Sequence, residues 1–170
     1  VASHRKALQI EPTFASALNG LGIALNGLGK PDEAVDSYQK AVQLEPDNAE
    51  THNNLGIVQH VLGRNEEAIA SFQAALRLMP DYAEAYTNLG VVLQDLGKTD
   101  EALAVYHKVL QLKPDYAEAY TNLGIVLSEL GKPDAAVASH RKALHLKPDH
   151  AKALNNLGIV LNDLGETEEA

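Results

Sequence analysis

The chain has 170 residues, a net charge of -9 and no cysteine. Acids and bases are interspersed, so the clustered Lys and Arg that nucleic-acid backbones attract are absent, and there is no thiol for disulfide or thiolate chemistry. No apolar run approaches the ~20 residues a bilayer crossing needs and no signal-like stretch appears, which is compatible with the cytoplasm and assigns no compartment.

A period of 34 residues runs through the chain, marked by Pro12, Pro46, Pro80, Pro114 and Pro148 and by Gly29, Gly63, Gly97, Gly131 and Gly165. Such self-similarity is the signature of repeat architectures. In chain order, 1–14 reads as the second helix of a partial repeat, and 15–48, 49–82, 83–116 and 117–150 read as complete repeats. The stretch 151–170 then reads as a first helix whose partner has only begun. The whole is expected to be a single array. Val1–Leu8 recurs identically as Val137–Leu144, four repeats later, which suggests recent duplication and a longer array around this window.

The repeat 83–116 shows the logic. Ala83–Leu96 lacks proline and places apolar residues at helical spacing, and Gly97 supplies the stop. Thr99, Asp100 and Glu101 open a second helix with acids where the helix dipole favours them. Pro31 and Pro133 take the place of Thr99 in two other repeats, as a first helical turn allows. The second helix is predicted to run to about Lys113, before Pro114. On the first helix, Tyr86, Leu89, Gly90 and Leu93 form one stripe, facing Ala102, Tyr106 and Val109 of the second. Ala85, Leu89, Val92 and Leu96 form another stripe, which only a neighbouring repeat can cover.

This pattern of Leu-Gly, Ala, aromatic and Pro at fixed offsets resembles the tetratricopeptide repeat family over the whole chain. Departures are mild: Leu18, His52 and Leu154 replace the bulky aromatic of the first helix, and His4 and His140 that of the second. The resemblance implies an all-α fold, a right-handed superhelical solenoid of tandem 34-residue helix-turn-helix repeats. It also implies that the first helices line a concave groove used to bind proteins.

The remaining face of the first helices then becomes the candidate site. One position reads Gly20, Asn54, Asn88, Asn122 and Asn156, and the residue before it reads Asn19, Asn53, Thr87, Thr121 and Asn155. An aliphatic position gives Ile23, Ile57, Val91, Ile125 and Ile159. Amides carry both donors and an acceptor, matching the repeating N–H and C=O of an extended peptide. An Asn ladder over Ile57, Val91 and Ile125 is therefore expected to hold a partner segment with little side-chain preference. The rim residues Ser16, Glu50, Glu84 and Glu118, with Lys152 alone basic, favour a neutral or basic protein or peptide partner. Among tetratricopeptide relatives, the ladder is similar to the superhelix preceding the catalytic part of O-linked N-acetylglucosamine transferases. A substrate-recruiting arm of such an enzyme is the alternative that likeness implies.

Nothing resembles a catalytic constellation, and neither cofactor nor metal is expected. His140, His145 and His150 are five residues apart, a spacing that turns them away from one another on a helix. Gly20, Gly22, Gly27 and Gly29 follow no strand, so no phosphate loop is credible. A third reading is structural. Helix faces at the two ends, with His4 and Ala7 at one and Leu154, Leu157, Leu161 and Leu164 at the other, are expected to be exposed and to stack head-to-tail into a filament.

Overall fold

The computed structural model describes residues 14–165 of the chain. The expectations for residues 1–13, including the lone second helix and the stacking face of His4 and Ala7, lie outside the described residues, as does the start of a helix after Gly165. Among the described residues there are nine helices and no strand. They are α1 (Ala15–Gly27), α2 (Pro31–Leu44), α3 (Ala49–Val61), α4 (Asn65–Leu78), α5 (Ala83–Asp95), α6 (Thr99–Leu112), α7 (Ala117–Glu129), α8 (Pro133–Leu146) and α9 (Ala151–Asp163). Odd-numbered helices are the predicted first helices and even-numbered ones the second. The chain is an all-α helical repeat solenoid, and none of these helices is long and apolar enough to cross a membrane.

The turns follow from local chemistry. At the end of α5, Gly97 takes φ +69°, a left-handed conformation that a side chain would oppose. This lets Lys98 N donate back to Leu93 O at 2.8 Å and Gly97 N to Gln94 O at 2.8 Å, closing the helix end. Second helices carry acids in their first turns, Asp32 and Glu33 in α2 and Asp100 and Glu101 in α6. The α3 N-terminus has an additional device: Asn48 Oδ1 accepts from Thr51 N at 3.0 Å.

The described residues divide into two compact units, one ending at Asn88 and the other beginning at Leu89. In the first, Leu21, Leu25, Ala34, Val35 and Tyr38 join Leu55 and Val58 in one cluster, so the α1–α2 hairpin is sealed by the next repeat's first helix. Ala49, Ala75 and Ala85 form a second cluster with Leu76 and Tyr82 packed on it. In the second unit, Ala102, Tyr106, Val109, Ala119, Val126, Ala136, Ala143 and Leu161 are buried. Small residues mark the closest approaches. A Cβ added at Gly90 would lie 2.7 Å from the Tyr106 ring, so only glycine permits this helix separation.

The expectation that α9 exposes its whole leucine stripe is corrected here. Leu154 and Leu164 are exposed, but Leu157 is 9% and Leu161 0% accessible. Both belong to the stripe that packs back on the preceding hairpin, α9 lying against α8 and α7.

Candidate peptide-binding face

The face identified by periodicity is presented by the odd-numbered helices, and each unit contributes its own portion. In the first unit, Asn19, Asn54 and Asn88 are half-buried, and Asn53 is buried. The amides are linked between successive first helices: Asn88 Nδ2 donates to Asn53 Oδ1 at 3.0 Å, and Asn54 Nδ2 to Asn19 Oδ1 at 3.4 Å. Each link consumes one N–H of the Asn54 or Asn88 amide. A side-chain amide has a second N–H and two carbonyl lone pairs, so capacity for a ligand is left. Ile57 is half-buried between these amides, and Ile23 is exposed beyond them.

In the second unit, Asn122 is buried, Asn156 half-buried and Asn155 exposed. Lys152 Nζ donates to Asn122 Oδ1 at 2.9 Å. Val91 and Ile125 are half-buried and Ile159 is exposed. Between them a cavity of about 240 Å³ is lined by Val91, Gln94, Asp95, Asn122, Ile125, Glu129 and Lys152.

Four of the candidates are buried rather than presented: Asn53 at 5% and Asn122 at 2% exposure, and two threonines. The Thr87 hydroxyl donates to Ala83 O at 2.9 Å and the Thr121 hydroxyl to Ala117 O at 3.0 Å, each one turn back on its own helix. Their exposures of 4% and 0% put them beneath the surface. Threonine in a helix readily satisfies its hydroxyl this way, so these two positions support the face from within.

Carboxylates set the field. Glu50, Glu84 and Glu118 are all exposed on the first turns of α3, α5 and α7. The Tyr38 hydroxyl is pushed up to about 12, by burial first and Glu50 second. That of Tyr106 is raised further by burial, then by Asp95, Glu118 and Glu129. Both phenols are therefore neutral hydrogen-bonding groups at physiological pH, and Tyr106 donates to Gln94 Oε1 at 2.7 Å.

His140 occupies the place held by Tyr38, Phe72 and Tyr106 in the earlier repeats, and it is 0% exposed. Burial, followed by the charge of Lys152, lowers its pKa from 6.5 to about 4, so the ring is neutral near pH 7. A cavity of about 130 Å³ adjoins it, lined by Ile125, Ser128, His140, Asn156, Ile159 and Val160. Sequence reasoning missed the cavity and the Lys152–Asn122 bond. Nothing in one-dimensional spacing indicated that Lys152 would reach back 30 residues.

Hairpins of this repeat length, closed by a left-handed glycine and locked by an aromatic over a second glycine, define a helical-repeat protein. A family profile described as "Tetratricopeptide repeat" matches residues 47–115 and 81–149, and one described as "TPR repeat" matches 24–63. The chain belongs to the tetratricopeptide repeat family. No curated protein sequence matches it. Among solved structures it is similar to MamA, at 32% identity, 88% of this chain and 87% of that one covered, TM-score 0.81. It is also similar to YrrB, described as a TPR protein with an unusual peptide-binding site, at 25% identity, 98% and 86% coverage and TM-score 0.78. A thermophilic TPR protein of Thermus thermophilus matches at 26% identity, 91% and 85% coverage and TM-score 0.74.

Proposed function

We propose that this chain is a non-enzymatic protein-interaction scaffold whose odd-numbered helices receive an extended segment of a partner. The observation that carries this reading is that each unit holds half-buried amides and aliphatic side chains on its odd-numbered helices, Asn54, Asn88 and Ile57 in the first and Asn156, Val91 and Ile125 in the second. Each amide is tethered or positioned by helix packing, yet keeps hydrogen-bonding capacity for a peptide backbone. Prior ordering of these groups reduces the entropy lost on binding. Likeness to YrrB, a peptide-binding relative, supports the same use of the fold.

The exposed Glu50, Glu84 and Glu118 make the rim acidic, so a neutral or basic partner is favoured over an acidic one. Rim charges act chiefly on association rate and salt dependence, whereas the amides act on dissociation. The test is replacement of Asn54, Asn88, Asn122 and Asn156 by Ala, scored against a library of extended peptides. Binding should fall strongly while helicity is retained. Unaltered affinity would remove the Asn face from consideration and turn the search to the even-numbered helices. Changing Glu84 and Glu118 to Lys should slow association of basic peptides and leave neutral ones almost unchanged.

A further inference from the structure

We propose that the pocket between α7, α8 and α9 is a subsite for one carboxamide side chain, Gln or Asn, of the bound partner segment. The inference rests on the groove reading above and adds a side-chain specificity to it.

Two replacements in one repeat set the polar lining of this pocket. In the preceding repeat, the Tyr106 hydroxyl donates to Gln94 Oε1 at 2.7 Å, so the two groups satisfy each other beside the cavity that Gln94 lines. One repeat later the tyrosine is replaced by His140 and the glutamine by Ser128. Neither reaches the other, and both line the cavity of about 130 Å³. At a share of ~30 Å³ per water, that volume matches about four non-hydrogen atoms. It accommodates a carboxamide and its methylene.

The lining has unmet polar capacity. Both ring nitrogens of His140 and Nδ2 of Asn156 are buried without a hydrogen-bond partner. Burying polar groups without partners is costly, and a ligand that pairs them recovers that cost. The neutral imidazole offers one N–H and one lone pair, Asn156 offers an N–H, and the Ser128 hydroxyl can donate or accept. A carboxamide answers part of this set, its oxygen accepting from Asn156 Nδ2 and its NH₂ donating to the unprotonated ring nitrogen of His140 or to Ser128. A carboxylate would have to shed its water in a cavity lined by aliphatic and neutral groups with no cationic side chain among them. An ammonium would face the Asn156 N–H and the nearby Lys152 charge. An aliphatic side chain would leave the polar atoms as they are. Ile125, Ile159 and Val160 are suited to the methylene stem.

The pocket is also reachable. Ile159 is 53% exposed at its rim. Ile125 is shared with the neighbouring cavity that holds Asn122 and Lys152. A segment lying over Ile125 can therefore direct one side chain inward while its backbone stays on the open face.

The experiment uses the full chain and a positional-scanning library of decapeptides, with the best binder resynthesised carrying Gln, Ala or Glu at the selected position. The double variant His140→Tyr, Ser128→Gln restores the pair seen at Tyr106 and Gln94, so its fold is already accommodated in this protein. The expected result is that Gln is preferred over Ala and Glu by about tenfold, the value of one to two net hydrogen bonds, and that the preference disappears in the double variant. In parallel, acetamide is titrated against ¹⁵N-histidine-labelled protein, with the His140 ring resonances expected to move. Peptides that bind without carboxamide preference, or with the same preference in the double variant, would overturn the subsite and leave the scaffold reading intact. If no peptide binds either protein, the scaffold reading fails. The acetamide titration then decides the pocket alone: shifted His140 resonances support it, and unshifted ones overturn it.

Discussion

Replacing His140 by Phe should make the protein more stable and less sensitive to acid, in a way the structure allows to be sized. Phe72 already occupies the equivalent site in the first unit, buried against Gly56 with a ring carbon 2.8 Å from where a Cβ there would lie. Phenylalanine is therefore compatible with this geometry over Gly124. In the native protein the His140 pKa falls from 6.5 to about 4, through burial and then Lys152. The unfolded chain thus binds a proton that the folded chain refuses between those two values. Folding stability from this group is complete above pH 6.5 and is lost as pH falls toward 4. At 1.36 kcal/mol per pH unit the full displacement amounts to about 3 kcal/mol. Water at the mouth of the adjoining cavity screens part of it, so a loss of about 1–3 kcal/mol is expected. The remaining titrating groups are common to both proteins and cancel in the difference. At pH 7.5 the variant should gain about 1–3 kcal/mol, because two unpartnered ring nitrogens are removed. Repeat proteins need not unfold as one unit, so urea denaturation should be paired with hydrogen exchange of the α8 amides at pH 7.5 and 4.5. Parallel pH slopes for the two proteins would refute the reasoning.

Two glycine substitutions of opposite sign test the packing. Gly90→Ala puts a methyl 2.7 Å from the Tyr106 ring and should cost about 1–2 kcal/mol by thermal or urea denaturation, overpacking exceeding the helix-propensity gain. Gly27→Ala meets nothing within 4 Å and should be stabilising by up to about 1 kcal/mol; equal effects would remove the close-approach argument. Asn48→Ala deletes the cap on Thr51 N and should cost about 1 kcal/mol, with faster amide exchange confined to the first turn of α3. Lys152→Met should raise the His140 pKa, read by NMR titration, since the Lys152 charge is one of the two causes of its depression; no upward movement would exclude Lys152 from that role.

Much of the fold was legible because the residues that determine it act locally. Gly97 ends its helix by its own φ, and Pro31 and Pro133 start theirs by their own ring constraint, whatever surrounds them. The Gly90–Tyr106 approach was legible too, since a glycine and an aromatic on facing stripes leave few alternatives. Assignment of individual positions to an open face was less secure. A 100° wheel places Thr87 and Thr121 next to the Asn positions, but their hydroxyls turn back to Ala83 and Ala117 and the side chains are buried. Leu157 and Leu161 were read as an uncovered stripe, although α9 uses them against the preceding hairpin. In both cases the decisive fact is which neighbouring helix lies over a residue, and periodicity within one helix does not contain it.

The same distinction explains where specificity can arise in a repetitive chain. A face built from identical units presents identical groups and recognises a backbone, whose own repeat it matches. Discrimination requires that one unit depart from its neighbours. Here three departures coincide in space: Lys152 in place of the rim acids, Ser128 for Gln94 and His140 for Tyr106. They converge on α7, α8 and α9, where Lys152 bonds Asn122 and depresses His140 while Ser128 and His140 line a cavity. A neutral imidazole leaves both donor and acceptor roles available at pH 7, which a protonated ring would not. Under the proposed function, the α7–α9 region is therefore where a choice among side chains would be made, and the amides of α1, α3 and α5 would serve the backbone.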